Sequence, residues 1–291
     1  MIGYNVKDEN RGRKKERSAM TDDQFGKLLD FFNLSRRGYR KVRKGVQKRV
    51  VRHMRRLGVS SFAAYLKLLE EDPEIRKECE TLLTVSISRF FRDVRLWEVL
   101  ENTVLPDIMQ GKNVVNVWSA GCACGEEAYS FKIIWEQVKK KRPSLPRLKL
   151  LATDMSQLYI VRAKAGIYGK SSLKEVPDTI LKTYFCPCEN RDWWKVKDDL
   201  KRSIDWLVHD LLDDPPGSDF DLIFLRNNLL TYYNEAVKLP ALEKILKALK
   251  PGGILIKGAH ENIPKPDTGL VRTEFHPHIY RKETSCRSSA A

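Results

Sequence analysis

The chain has 291 residues, enough for one large domain or two modest ones with a buried core. It carries 53 Lys or Arg against 38 Asp or Glu, a net charge of +15, and six cysteines. No stretch reaches the ~18 apolar residues that span a bilayer, and the residues after Met1 lack the apolar run of a secretory leader. Six cysteines in so long a chain do not make a disulfide scaffold, so a reducing cytoplasm is expected.

The charge is uneven. Residues 1–60 hold 18 Lys or Arg and 6 Asp or Glu. Such asymmetry suits an acidic partner, which can be nucleic acid, a membrane surface or an acidic protein, or else a solvated basic face. Residues 1–20 are polar, contain "RGRKKER" and read as a disordered arm. Thr21 is placed to cap a helix, with Gln24 at the reciprocal capping position, and Phe25, Leu28, Leu29 and Phe32 share one face. The span 36–56 reads as a basic helix, with Val42, Val46, Val50, Met54 and Leu57 at helical spacing, eleven Lys or Arg and no acid. Gly58 is the expected stop. Two more helices follow, the first capped by Ser60 or Ser61, so residues 21–84 are expected to form a helical domain. Residues 85–110 read as a linker and a further helix.

From residue 111 the period changes. "NVVNVW" is a buried strand, "EEAYSFKIIWEQVKKK" a helix, "RLKLLATD" a strand and "QLYIVRAKAG" its helix. "DFDLIFLRN" and "PGGILIKGA" are further strands separated by a helix, and "TEFHPHIYRK" reads as the last strand. Alternating strand and helix argues for an α/β domain over 111–284 with a mostly parallel sheet. A small antiparallel insertion is expected at about 184–207, and residues 285–291 form a tail. Cys122 with Cys124 and Cys186 with Cys188 are spaced too closely for the usual zinc pairs, so no metal is expected.

In such a sheet, ligands bind beyond the carboxyl ends of the strands at the switch point. The loop after the first strand, "SAGCACGEE", has Gly121 and Gly125 to let a ligand approach the backbone. It lacks both the dinucleotide G-x-G-x-x-G spacing and the Lys-Ser or Lys-Thr of a phosphate loop. Glu126 and Glu127 stand where a phosphate would want positive charge. Their bland reading is favourable charge at a helix N-terminus. Asp154 ends the next strand, where a carboxylate accepts from a ribose diol. Asp210 follows a third apolar segment and suits an adenine amino group. A nucleoside with a cationic group and no phosphate is indicated, and S-adenosylmethionine fits.

These residues also carry a resemblance. "SISRFFRD", "VWSAGCACGEEAYS", "LLATD", "AKAGIY", "DLIFLRNNLLTYY" and "LKPGGILIKGAHE" occur in the order of the CheR family, the chemotaxis-receptor glutamate methyltransferases. The resemblance runs from about Phe31 to Lys282. It implies a Rossmann-like class I methyltransferase sheet, an N-terminal helical domain and a small antiparallel insertion. It also implies cofactor contacts from Ser86, Ser88, Arg92, Glu127, Asp154, Asp210, Leu211, Arg226 and Asn227, to which the turn reading adds Gly121. Glu127 takes the ammonium in that scheme, Asp154 holds the ribose, and Asp210 and Leu211 frame the adenine.

Arg92 and Tyr232 are the candidates for orienting the acceptor. Their bland readings are a surface or capping arginine and a core aromatic. Tyr232 or Thr231 takes the family's tyrosine position, because "RNNLLTYY" is one residue longer than the family pattern. "GAHE" stands for the family's "GHSE", with His260 and Glu261. The acceptor implied is an acidic protein helix, docked by Arg43, Lys44, Arg52 and Arg55. RNA or a small molecule is the alternative acceptor, and a non-catalytic cofactor-binding module is a third reading. No membrane insertion is expected, and a monomer is.

Overall fold

The computed structural model describes residues 20–85, 88–142, 144–190, 192–264 and 268–284. Except for Met20, the basic arm lies outside them, as do Ser86 and the tail. The chain forms two compact units. One holds the residues up to Phe32 together with Arg40–Thr84, and the other holds Asn33–Tyr39 together with Val85 onward.

In the first unit, α1 (Asp22–Phe31) starts with the expected capping box, in which Thr21 and Gln24 satisfy each other's backbone N–H groups. The expected single basic helix 36–56 is two helices, α2 (Arg36–Tyr39) and α3 (Arg43–Arg56). The break falls where the chain leaves the second unit, to which Asn33–Tyr39 belong, and re-enters the first at Arg40. Ser35 N–H donates to the Tyr232 carbonyl at 2.7 Å, and a Cβ on Gly38 would lie 2.1 Å from the Thr231 carbonyl oxygen. The expected helical domain 21–84 is therefore interrupted.

α4 (Phe62–Glu71) is capped by Ser61, and α5 (Pro73–Leu83) by Asp72. Val46, Val50, Tyr65, Leu69, Cys79 and Leu83 are buried. His53 of α3 is buried too. Its Nδ1 meets the Tyr65 hydroxyl at 2.7 Å and its Nε2 meets Glu78 at 3.0 Å. This polar link joins three helices, where helical spacing offers only Val, Met and Leu as core. Burial pushes the Cys79 thiol up to about 12.

The second unit continues with α6 (Val94–Val99), α7 (Leu105–Met109), β1 (Val114–Ala120), α8 (Glu126–Lys141), β2 (Arg147–Asp154) and α9 (Gln157–Ala165). Then come β3 (Ile167–Gly169), α10 (Asp178–Tyr184), β4 (Phe185–Pro187), β5 (Trp193–Val196), α11 (Asp198–Lys201) and β6 (Ile204–Val208). Last are β7 (Phe220–Leu225), α12 (Leu229–Tyr232), α13 (Glu235–Ala248), β8 (Leu249–Lys257), β9 (Leu270–Arg272) and β10 (Ile279–Lys282). The main sheet runs β6-β2-β1-β7-β8-β10-β9. Its first five strands are parallel, and β10 and β9 close it antiparallel. β1 neighbours both β2 and β7, so the strand order reverses there, and the carboxyl ends of these strands are where sheets of this kind bind ligands.

Two elements depart from the sequence reading. The small antiparallel sheet, β3-β5-β4, begins at Ile167, and Ile204–Val208 is not part of it but the parallel edge of the main sheet. β3 has only three residues and finds its partner across a long stretch of chain, so it has no periodic signature of its own. β9 likewise goes unsignalled. Every residue of β7 is buried, the pattern of a central parallel strand covered on both faces. No described helix is long and apolar enough to cross a membrane.

Candidate functional site

The carboxyl end of the sheet around β1 is built by turns whose geometry dictates their residues. Gly121 has φ +75° and Gly125 φ +92°, both in the left-handed region. A Cβ on Gly125 would sit 2.8 Å from the Trp206 ring and 2.9 Å from Ala163 Cβ. One on Gly121 would sit 2.2 Å from Asn228 Nδ2. Asn228 in turn donates to the Ala120 carbonyl at 2.5 Å and accepts from Leu229 N–H at 2.6 Å, which caps α12. The ends of β1 and β7 are thus tied by one amide.

Glu127 lies in the first turn of α8 with 13% of its side chain exposed. Its Oε1 accepts from Ser119 Oγ at 2.8 Å and its Oε2 from Arg226 Nη1 at 3.2 Å. Burial pushes its pKa above the usual carboxylate range, and Arg226 and Ser119 hold part of that rise back. Glu126 is also raised by burial; Ser88 and Ser172 oppose the rise, and Ser172 Oγ donates to it at 3.3 Å. The paired acids therefore have different surroundings, and Glu127 is the one tied to the end of β1 and to Arg226.

Asp154, at the end of β2, accepts one backbone N–H on each oxygen: Ala123 at 2.9 Å and Ser156 at 2.9 Å. Each oxygen keeps further acceptor capacity, which suits a diol. Burial raises its pKa, those two N–H groups lower it, and nearby Asp210 raises it again. Asp154 and Asp210 are thus brought to one region. Asp210 Oδ1 accepts from Leu212 N–H at 3.0 Å, and Leu211 is buried. Asn227 has φ +58°, and a Cβ on Gly258 would lie 2.9 Å from its Oδ1.

Arg92 and Tyr232 share one electrostatic neighbourhood. Burial raises the Tyr232 hydroxyl, Arg92 lowers it and Glu261 raises it. The Tyr232 ring packs edge-on against Tyr39 with centroids 5.0 Å apart. Thr231, the other contender, spends its hydroxyl on Glu261 Oε1 at 2.6 Å. Glu261 is buried and also accepts from Gly258 N–H at 2.6 Å. Arg43 of the docking set pairs with Asp22 at 2.8 Å, whereas Lys44, Arg52 and Arg55 are exposed on α3. Lys48, also exposed, falls on the same stripe, four residues from both Lys44 and Arg52.

Asn228, Ser119, Asp93 and Trp97 are site neighbours that the sequence reading does not single out, and Glu261 enters it only through the "GAHE" motif. Asp93 closes the "FFRD" motif, so a signal for it was present. Of the two cysteines in the loop, Cys122 is buried near Asp154 and Glu127, and burial pushes its thiol far up, which disfavours the thiolate, whereas Cys124 is partly exposed.

The strand order reverses at β1, Glu127 lies in the first turn of the helix after β1 and Asp154 ends β2, the arrangement of a nucleoside site, and the matches that follow set the class: an S-adenosylmethionine-dependent methyltransferase. Residues 86–277 match the family described as CheR methyltransferase, SAM binding domain. A chemotaxis protein methyltransferase of Listeria innocua is 33% identical over 213 residues, covering 72% of this chain and 79% of that one. One from Vibrio parahaemolyticus is 30% identical, covering 68% and 71%. A probable chemotaxis protein methyltransferase of Rhizobium etli is 31% identical, covering 75% and 84%. The chain belongs to the CheR methyltransferase family.

Proposed function

We propose that the chain methylates glutamate side chains of a chemoreceptor-like protein, working in the cytoplasm as a monomer. The observation that carries this reading is the 33% identity to a chemotaxis protein methyltransferase across 72% of the chain, with Arg92, Glu127 and Asp154 all inside the family match. In this reading Glu127 pairs with the ammonium of S-adenosylmethionine and Asp154 with its ribose. Gly121 gives the backbone approach, and Ser88, Asp210, Leu211, Arg226 and Asn227 line the remainder. Ser86 belongs to the same set by family likeness and lies outside the described residues.

When bound, the cofactor supplies a methyl group on a sulfonium. The acceptor carboxylate, with a reference pKa of about 4.3, is ionised at neutral pH and needs no base. The protein's work is alignment and exclusion of water, which in ideal cases contributes roughly 7–11 kcal/mol. Arg92 offers a planar fork to a carboxylate and Tyr232 a single directed hydroxyl. The stripe Lys44, Lys48, Arg52 and Arg55 supplies a cationic face for an acidic helix. Arg43 is less available to that face, because Asp22 already neutralises it.

The test is transfer of tritiated methyl from labelled S-adenosylmethionine into a whole lysate. Label in protein that is released as methanol by mild alkali is the expected result. Label that stays in nucleic acid, or that survives alkali, would refute the glutamate acceptor.

A further inference from the structure

The turn that carries Arg92 is held in a backbone its own residues disfavour. Phe91 and Asp93, on either side of Arg92, have φ +50° and +67°. A bulky residue such as phenylalanine occupies that region only where its surroundings impose it. Four contacts do so. Phe90 N–H donates to the Ser172 carbonyl at 3.0 Å, and Phe91 N–H donates to Ser130 Oγ at 2.9 Å. The Arg92 carbonyl accepts from the Trp97 indole at 2.8 Å and from Arg226 Nη2 at 3.3 Å.

The same Nη2 of Arg226 donates to Asp93 Oδ2 at 2.5 Å, while Nη1 reaches Glu127 at 3.2 Å. One buried guanidinium, 3% exposed, therefore serves two carboxylates and one carbonyl. It leans toward Asp93. Although Asp93 precedes α6, its side chain makes no capping bond there, so helix capping does not account for it.

An ammonium placed on Glu127 competes with Arg226 for that carboxylate and repels the guanidinium. With Glu127 as its only acid, Arg226 would lose its counter-charge at that moment, and the Arg92 turn would lose a contact. Asp93 supplies the second counter-charge from the side of the turn. We propose that Asp93 is a positioning residue: through Arg226 it holds the backbone of Arg92 in place while Glu127 is engaged by the cofactor. The inference rests on the reading of Glu127 given above. It makes Asp93 matter for transfer and Glu127 matter for binding, although both touch the same arginine.

The experiment uses the full chain and compares Asp93→Ala, Asp93→Asn and Glu127→Ala. S-adenosylhomocysteine affinity is measured by calorimetry. The rate of base-labile tritium transfer into lysate protein is measured at saturating labelled S-adenosylmethionine, with and without added formate. Misplacing a reacting group by about 1 Å can cost on the order of a hundredfold. Asp93→Ala should therefore lose roughly 30- to 100-fold in rate, keep its affinity within about threefold, and regain at least about fivefold with formate, which replaces the missing carboxylate. Asp93→Asn, of the same shape without the charge, should lose rate and gain nothing from formate.

Undiminished transfer in Asp93→Ala would overturn the proposal. So would an affinity loss equal to that of Glu127→Ala, which would place Asp93 in the cofactor pocket instead. A rate that formate does not restore, in a variant whose near-ultraviolet circular dichroism matches the wild type, would also overturn it. Wild-type affinity in Glu127→Ala would instead remove the reading of Glu127 on which the inference stands, and is a separate result.

Discussion

Gly121→Ala should destabilise the second unit by an amount that its neighbour Asn228 controls. Left-handed backbone at a non-glycine residue costs roughly 1–2 kcal/mol. The added Cβ would also lie 2.2 Å from Asn228 Nδ2, a distance no pair of these atoms sustains. Asn228 must move, and it gives up its bonds to the Ala120 carbonyl and from Leu229 N–H. Each is worth about 1 kcal/mol net. The sum is about 3–4 kcal/mol, or a fall in melting temperature of roughly 6–16 °C for a domain of this size. Asn228→Ala alone should cost about 2 kcal/mol, because it loses the same two bonds without the strain. The double variant should then be no worse than Gly121→Ala alone, since the clash is gone and the bonds are counted once. Urea unfolding of the four proteins measures this coupling. Strict additivity, or a Gly121→Ala variant within 1 kcal/mol of the wild type, would refute the contact between these two turns.

Arg92→Lys keeps the charge and loses the planar fork. It should bind S-adenosylhomocysteine within a few-fold of wild type and lose about a hundredfold in transfer, about 2.7 kcal/mol of barrier, as read by steady-state kinetics. Reversing Lys44, Lys48, Arg52 and Arg55 to Glu should raise the acceptor's KM at low salt. The effect should shrink as salt rises, given a Debye length of ~8 Å at physiological ionic strength, whereas Arg43→Ala should change KM little. Cofactor affinity should fall on acidification before an ordinary glutamate, with a reference pKa of about 4.3, would titrate, because burial raises Glu127 and the ammonium needs its charged form. The stability contribution of the same group has the opposite sense: it is present at low pH and lost as pH rises through the raised pKa. Calorimetry across pH on wild type and Glu127→Gln checks this, and the variant should lack the acid limb attributable to that residue.

Several local elements of the candidate site are legible in the sequence because their residues sit in order along local patterns. β2 runs from Arg147 to Asp154, the span its apolar pattern marks. The two glycines of the loop after β1 take two of its three left-handed positions, and Ala123, at φ +50°, takes the third without a glycine to signal it. Thr21 and Gln24 announce α1 through a contact three residues long. What stayed hidden depends on pairing across the chain. Arg226 meets Asp93 over a separation of 133 residues, and no period in either segment encodes that meeting. The break between α2 and α3 is similar, since the local pattern is helical throughout while Gly38 of α2 packs against Thr231, far along the chain. Arg43 looked equivalent to Lys44 in a run of basic residues, and only the position of Asp22 tells them apart.

The central claim is that the acid after the glycine loop is there for an ammonium. It is tested most directly by comparing S-adenosylhomocysteine with the analogue that lacks the α-amino group, on wild type and on Glu127→Gln. A charge-assisted contact worth about 1.5–3 kcal/mol predicts that the wild type prefers the amino compound by roughly 10- to 150-fold. Glu127→Gln should bind the two compounds within about threefold of each other. An equal preference in both proteins would contradict the account, because the ammonium would then be recognised by some group other than Glu127.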